Sequence, residues 1–417
     1  MTPFAVTTAQ QGRAVAPTSP VHWLHRVMPA HAPGSARWWQ AVEALGTPLR
    51  GVADAQGVEL LFLWRATTAV DAVCVDVDGH TPHPTQGPAT MQHLAGTDVW
   101  FWQTRLPADW LGSYAFLPVP PGHVPLPASP GDRRRWWMQL VESMGQGDAF
   151  SRQPAVADGW GRPRALLRPG VGEPAPLGPA GHTTTWTWAS QLLARQRTVW
   201  LHRTPAADAD SPWVLLLDGQ AWALHLPLLP LLDEVVMRGQ LPALHVLAID
   251  ACDADTRWQE LGCHAPFWHA VMDELLADAA QRAGVARVPP CVVAGQSLGG
   301  LSALYATLHW PDRFHAALSQ SGSFWWPDPS GSAQHAQLIN QVRGGLASGK
   351  DIRALLQVGV RDQPDMRSLS RDMATALGPA RAALQDIAGG HDWACWREAL
   401  IPGLQALLAP QASKEST

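Results

Sequence analysis

Charge is scarce in this chain: Asp, Glu, Lys and Arg together make up only 16% of its 417 residues. Lysine is nearly absent, standing only at Lys350 and Lys414, so arginine supplies almost all of the 30 basic residues. That imbalance reads as genomic codon usage before it reads as function. A net charge of −5 with no basic run excludes the electrostatic footprint of a nucleic-acid binder. No apolar run approaches the ~18 residues of a membrane span. The first thirty residues lack an apolar segment behind a basic start, so no secretion signal is expected. Cysteine is sparse as well: Cys74, Cys252, Cys263, Cys291 and Cys395 are odd in number and fall in no metal-like spacing. Free thiols in a reducing compartment follow. The expectation is a cytoplasmic protein without membrane attachment, resident metal or other cofactor.

What the chain does have is apolar bulk. Hydrophobic residues make up 46%, and there are 22 tryptophans, which read first as large core side chains and second as an aromatic surface for a flat ligand. The length suits two domains better than one.

Residues 1–35 are rich in Ala, Pro, Thr and Gln and read as a loose leader. Between 36 and 150 the pattern is short strands (Val58–Ala66, Ala72–Gly79, Val99–Leu106, Gly112–Val119) broken by Gly, Pro and Asp, with one helical piece near Arg133–Met144. Strands without intervening helices suggest an all-β, immunoglobulin-like sandwich. Residues 151–184 have the Pro/Gly-rich composition of a linker. From 185 to 410 apolar strands alternate with helices, the pattern of a mostly parallel sheet covered on both faces.

The chemistry centres on Gly295-Gln296-Ser297-Leu298-Gly299, placed between the apolar run Cys291–Gly295 and a helix starting at Leu298. A G-x-S-x-G turn at that junction lifts a serine hydroxyl above the sheet, where the helix N-terminus favours negative charge. A serine needs a base. Of the histidines that follow (His309, His315, His335, His391), only His391 lies after a late strand on a glycine loop. Asp362, three residues past Gly359 at a strand end, is the acid that suits the order serine, acid, histidine; Asp365 and Asp392 are weaker choices. The oxyanion donors expected are the backbone N–H of Leu298 and one from Gly219 or Gln220.

These segments resemble the enterochelin (enterobactin) esterases. The likeness is carried by "HLAGTDVWFW", "GSYAFLP", "LLDGQAWA", "VVAGQSLGGLSALYATLHWPDRF", "LSQSGSFWWP", "GVRD" and "GGHDWACWR". It implies an α/β-hydrolase fold behind a β-sandwich domain, and a cytoplasmic serine esterase that opens the trilactone of a ferric or iron-free catecholate siderophore. It maps nucleophile, acid and base to Ser297, Asp362 and His391. In the family the acid position also takes glutamate; here "GVRD" supplies an aspartate, one methylene shorter. The family's Arg-x-x-Glu-Leu element appears as "RWQEL", expected on a loop. There Arg257 either pairs with Glu260 or faces the anionic catecholates. Arg361 and Arg397 would add positive charge, and Trp325, Trp326, Trp393 and Trp396 are stacking candidates. The rival readings are an esterase of other aromatic acyl esters, such as feruloyl esters, and a siderophore-binding protein with little catalysis.

Overall fold

The computed structural model describes residues 31–123, 127–168, 181–326 and 336–409. Residues 1–30 of the expected leader and 169–180 of the expected linker fall outside them. The chain divides into two compact units, one of Met1–Asp158 with Arg162–Glu173, the other of Gly159–Gly161 with Pro174–Thr417.

The first unit holds strands β1 (Leu49–Asp54), β2 (Gly57–Arg65), β3 (Ala72–Val77), β4 (Ala89–Thr90), β5 (Gln92–His93), β6 (Val99–Leu106), β7 (Gly112–Val119), β8 (Ala155–Ala157) and β9 (Pro163–Leu167). They pair into two sheets, β1-β2-β6-β5 and β4-β3-β7-β9-β8, with antiparallel neighbours throughout. One apolar cluster draws Leu60, Phe62 and Trp64 from the first sheet and Val73, Val75, Tyr114 and Phe116 from the second, so the sheets share a core. Two expectations need correction here. Residues 155–157 and 163–167 are strands that extend this unit, because β9 finds a partner in β7 despite its Pro- and Gly-rich flanks. Ala36–Leu45, read with the strands, is a helix; Ser35 caps it and its Trp38, Trp39 and Val42 are buried.

The second unit carries β10 (His182–Ser190), β11 (Arg195–Arg203), β12 (Trp213–Leu216), β13 (His245–Ile249), β14 (Cys291–Gln296), β15 (Phe314–Gln320), β16 (Arg353–Gly359) and β17 (Ala382–Ile387). They form one eight-stranded sheet in the order β10-β11-β13-β12-β14-β15-β16-β17. The β10–β11 and β11–β13 pairs are antiparallel and the rest parallel. This is the α/β-hydrolase arrangement. Alternation inside the apolar strands separates two cores. Trp213, Leu215 and Val293 face helices 265–283 and 298–309; Val214, Leu216, Val292 and Ala294 face helices 229–237 and 393–408. Burial on both faces explains why these strands read as continuous apolar runs. Several tryptophans are core residues, Trp38, Trp213, Trp222 and Trp268 being almost fully enclosed. The parallel strands all end at one edge, where the loops after β12, β14, β15, β16 and β17 meet.

Candidate active site

Ser297 sits between β14 and helix Leu298–His309 with φ 57° and ψ −118°. Such backbone costs a non-glycine residue about 1–3 kcal/mol and persists only where its surroundings enforce it. The enforcement is visible. Ser297 N–H donates to Gln320 O (2.9 Å), and Ser297 O accepts from Ser323 N–H (3.0 Å). Gly295 must be glycine, since a Cβ there would lie 2.2 Å from Gly299 O. The helix begins at Leu298, so the partial positive charge of its N-terminus lies at this turn.

His391 meets this turn from the loop after β17. Its Nε2 is 3.1 Å from Ser297 Oγ, and its Nδ1 is 3.2 Å and 3.3 Å from the two Asp362 oxygens. The imidazole is 30% exposed while the Asp362 carboxylate is fully enclosed, so the ring is open to a ligand and its partner is not. Backbone bonds knit the two loops: Val360 N–H to Ile387 O and Arg361 N–H to Gly389 O, each 2.9 Å. Burial pushes the Asp362 carboxyl upward, but His391, the Ser321 hydroxyl and the Gln363 N–H outweigh it and hold the group below its ordinary value.

The other candidates lie elsewhere. Asp365 is exposed in the first turn of helix Pro364–Leu377. Asp392 is buried as the N-cap of helix Trp393–Leu408, accepting from Ala394 N–H at 3.0 Å. His309 packs on Tyr305 (4.2 Å between centroids), and burial lowers its pKa, as it does for His315. His335 lies outside the described residues.

Gly219 and Gln220 follow β12 at the same edge. Gly219 lies so close to β13 that an added Cβ would be 2.5 Å from Ile249 N. Gln220 anchors the loop with its side chain, accepting from Ala251 N–H (3.0 Å) and donating to Gly159 O (3.4 Å). Arg257 requires a correction in both place and partner. It lies on a helix, Ala254–Leu261, not on a loop. Its Nε and Nη2 grip the two Asp218 oxygens at 2.6 and 2.8 Å, and Nη2 also donates to Gln296 O at 3.1 Å. Glu260 is instead taken by Arg197 at 2.7 Å. Helical geometry points Glu260 away toward β11, while Arg257 ties the Asp218–Gly219 loop to the residue before Ser297.

The four predicted tryptophans separate into two pairs. Trp396 is buried, edge-on to His391 (centroids 4.8 Å), and Trp393 packs on Trp396 and Trp222 (5.3 and 5.4 Å). Both back the loop that carries His391. Trp325 and Trp326 are partly exposed and lie two and three residues past Ser323, whose Oγ is 3.2 Å from Ser297 Oγ. Trp258, missed in the sequence, joins them at 5.9 and 4.9 Å and is 47% exposed. Ser321 and Ser323 were also missed, although the end of a strand beside the nucleophile strand is where such residues had to fall. Arg361 stands beside Asp362, and Arg397 donates to Pro227 O (3.0 Å).

Burial pushes the Cys263 and Cys291 thiols up to about 12. Among the described residues no group of three or more His, Cys, Asp or Glu is arranged to hold a metal ion, and no helix is long and apolar enough to cross a membrane.

Comparison with known proteins agrees with this architecture. The family model "Enterochelin esterase, N-terminal" matches residues 59–176, and the model "Putative esterase" matches residues 190–407. The iron(III) enterobactin esterase of Dickeya dadantii (strain 3937) is 37% identical over 415 residues, covering 91% of this chain and 95% of that protein. Its counterpart from Escherichia coli (strain K12) is 37% identical over 403 residues, covering 90% and 97%. The crystal structure of the enterobactin esterase from Shigella flexneri in the presence of enterobactin superposes with a TM-score of 0.78 at 34% identity, over 90% of this chain and 99% of that one. The chain belongs to the enterochelin esterase family.

Proposed function

We propose that this protein is a carboxylic ester hydrolase that opens the trilactone ring of ferric enterobactin-like catecholate siderophores and cuts the product to dihydroxybenzoyl-serine units. The observation that carries the reading is the hydrogen-bonded line Ser297–His391–Asp362. It lies in a chain similar along most of its length to enterobactin esterases. Ser297 Oγ attacks a ring carbonyl as His391 Nε2 takes its proton. Asp362 keeps the proton on Nδ1 and stabilises the imidazolium without taking it. The oxyanion is met by the N–H of Leu298 and by Gly219 or Gln220. Collapse breaks the acyl C–O bond, and His391 returns the proton to the departing serine-derived oxygen. Water then attacks the acyl-enzyme with His391 again as base, giving a carboxylic acid and free Ser297. Each ester consumes one water.

The iron belongs to the substrate, held by its own catechols, and its loss from the cleaved, weaker chelate is the biological product. Trp325, Trp326 and the exposed Trp258 offer apolar faces for catechol rings, and Arg361 lies close enough to the acid loop to meet their charge. The Arg257 guanidinium, committed to Asp218, is assigned to holding the oxyanion loop and not to the substrate. We place the protein in the cytoplasm, with its five free cysteines as support. An immunoglobulin-like description of the first unit draws support from its two antiparallel sheets around one core.

The test is a chromatographic time course of the purified protein with ferric enterobactin, iron-free enterobactin and a feruloyl ester. Stepwise appearance of linear trimer, dimer and monomer from the trilactone is expected. Cleavage of the feruloyl ester with the trilactone left intact would overturn the substrate assignment.

A further inference from the structure

A row of glutamines crosses the parallel half of the second unit's sheet beneath the reactive loops. Gln296, Gln320, Gln357 and Gln385 are register partners on β14, β15, β16 and β17. Their side-chain amides form a chain. Gln296 Nε2 donates to Gln320 Oε1 (2.9 Å), Gln320 Nε2 to Gln357 Oε1 (2.8 Å), and Gln357 Nε2 to Gln385 Oε1 (2.9 Å). The first three residues are buried and Gln385 is exposed. Burying primary amides costs free energy unless they are paired, and much of the rest of these strands is apolar, as in Cys291–Ala294, Ala316–Leu318 and Ala354–Leu356. Packing alone therefore does not account for the row.

The direction of the chain follows from chemistry. Gln320 Nε2 also donates to Trp396 O (3.0 Å), and Gln357 Nε2 to Ala399 O (3.1 Å). Carbonyls only accept, so both amide nitrogens must face helix Trp393–Leu408 and both oxygens must turn back to the preceding glutamine. Each inner glutamine thus makes one rung along the sheet and one tie to that helix.

The Gln320 tie lands on the residue that supports His391. Trp396 lies edge-on to the imidazole at 4.8 Å, and its Nε1 donates to Ser321 Oγ at 3.1 Å. Ser321 also helps to hold the Asp362 carboxyl below its ordinary value. The backbone completes the frame: Ser297 N–H donates to Gln320 O and Ser321 N–H to Gln357 O, at 2.9 and 2.7 Å. Gln320 therefore touches the serine turn through its main chain and the support of His391 through its side chain.

We infer that Gln320 is a positioning residue, which sets the His391–Asp362 pair in register with Ser297 through its tie to Trp396. The inference rests on the roles proposed above for those three residues. A misplacement of about 1 Å costs on the order of 10²-fold in rate, which sets the size of the effect to look for.

The experiment replaces Gln320 by Met, of similar length and unable to donate. Gln405→Met serves as the control, because Gln405 ties the same helix to Gln240 O (3.2 Å) away from the reactive loops. Circular dichroism, thermal melting, kcat, KM and the pH profile of kcat/KM are measured on enterobactin. For a folded Gln320→Met, kcat is expected to fall about 10²-fold with KM within about twofold. The acid limb of the pH profile should move as well, while Gln405→Met keeps wild-type values. Should Gln320→Met fail to fold, Trp396→Phe keeps a ring beside His391 but removes the donor to Ser321, and a fall of about tenfold in kcat with a displaced acid limb is expected. An unchanged kcat and pH profile in folded Gln320→Met, or in Trp396→Phe where that is the variant in hand, would overturn the inference. So would an equal loss in Gln405→Met. Full activity of His391→Ala would instead remove the reading on which it rests, so the two failures are told apart.

Discussion

The two ends of the eight-stranded sheet both bury polar side chains, and they do so in opposite ways. At the antiparallel end the buried charges close on near neighbours. Arg197 pairs with Glu260 at 2.7 Å and lies over Trp188 and Phe267 at 5.5 Å each; His202 pairs with Asp233 at 2.8 Å and Thr183 fills its other nitrogen. Their further contacts are local: Arg197 also donates to Asp250 O at 3.2 Å, and Asp233 also accepts from Gly181 N–H at 2.7 Å. At the parallel end the polar groups form strings that finish at loops. Asp362, His391 and Ser297 are one, and the glutamine row is another. Three residues at that edge, Asp218, Ser297 and Ser321, also hold positive φ (55°, 57° and 47°). A closed pair compensates its own burial and ends there, whereas a string that reaches a strained loop delivers a side chain to solvent in a set orientation.

That contrast is open to breakage by substitution. The largest effect is expected for His391→Ala. It should approach the ~10⁶-fold loss typical of removing the serine or the histidine from such a unit, and wild-type kcat/KM should rise with pH, as for any reaction that needs its general base unprotonated. A wild-type rate flat from about pH 5 to 8 would deny His391 the role of base.

Asp362→Asn comes next, with up to about 10⁴-fold lost through the wrong imidazole tautomer, while the exposed Asp365→Asn stays near wild type. The same residue gives a stability signature. Its folded pKa is depressed, so its contribution is present above the ordinary aspartate value of 3.8 and is lost as pH falls through the lower folded value. Melting curves of wild type and Asp362→Asn should therefore converge in acid. A constant gap down to the most acid point measurable would contradict the depressed carboxyl.

Arg257→Ala sharpens the comparison, because Arg257 stands at the reactive edge yet closes on Asp218 like the pairs at the far end. Its loss strands a buried carboxylate, at a cost of about 3–5 kcal/mol. Ferric and iron-free substrates should suffer equally; a loss confined to the ferric form would make Arg257 a substrate contact. The smallest effect on turnover is predicted for Arg197→Met. The same class of stability loss, about 3–5 kcal/mol, should leave kcat and KM unchanged in protein that remains folded. A large fall in kcat there would erase the distinction between the two ends.

Much of this architecture is legible in the sequence. The serine turn announces itself because it needs glycines at fixed offsets, and His391, read from its glycine loop after the last strand, lies 3.1 Å from Ser297 Oγ. Asp362 follows from its place three residues past Gly359. What escaped depends on contacts that spacing does not encode. Arg257 finds Asp218 across 39 residues of chain, and local sequence offered only Glu260. The glutamine row exists only in the register of four strands. Helix Ala36–Leu45 and strands β8 and β9 were lost to composition, since Pro and Gly around a short strand resemble a linker until a neighbour completes its ladder. β10 carried a usable signal in "HTTTWTWAS", whose alternate Trp186, Trp188 and Ser190 are the buried positions.

The most direct test of the central claim sets wild type beside Ser297→Ala on ferric enterobactin in ¹⁸O-labelled water, with products separated and weighed by mass spectrometry. The account predicts that wild type yields linear trimer, dimer and monomer carrying one labelled oxygen per ester cut. Ser297→Ala should still bind the substrate, yet show turnover reduced by about 10⁶-fold. Near-normal turnover by Ser297→Ala, or wild-type products without the label, would contradict it.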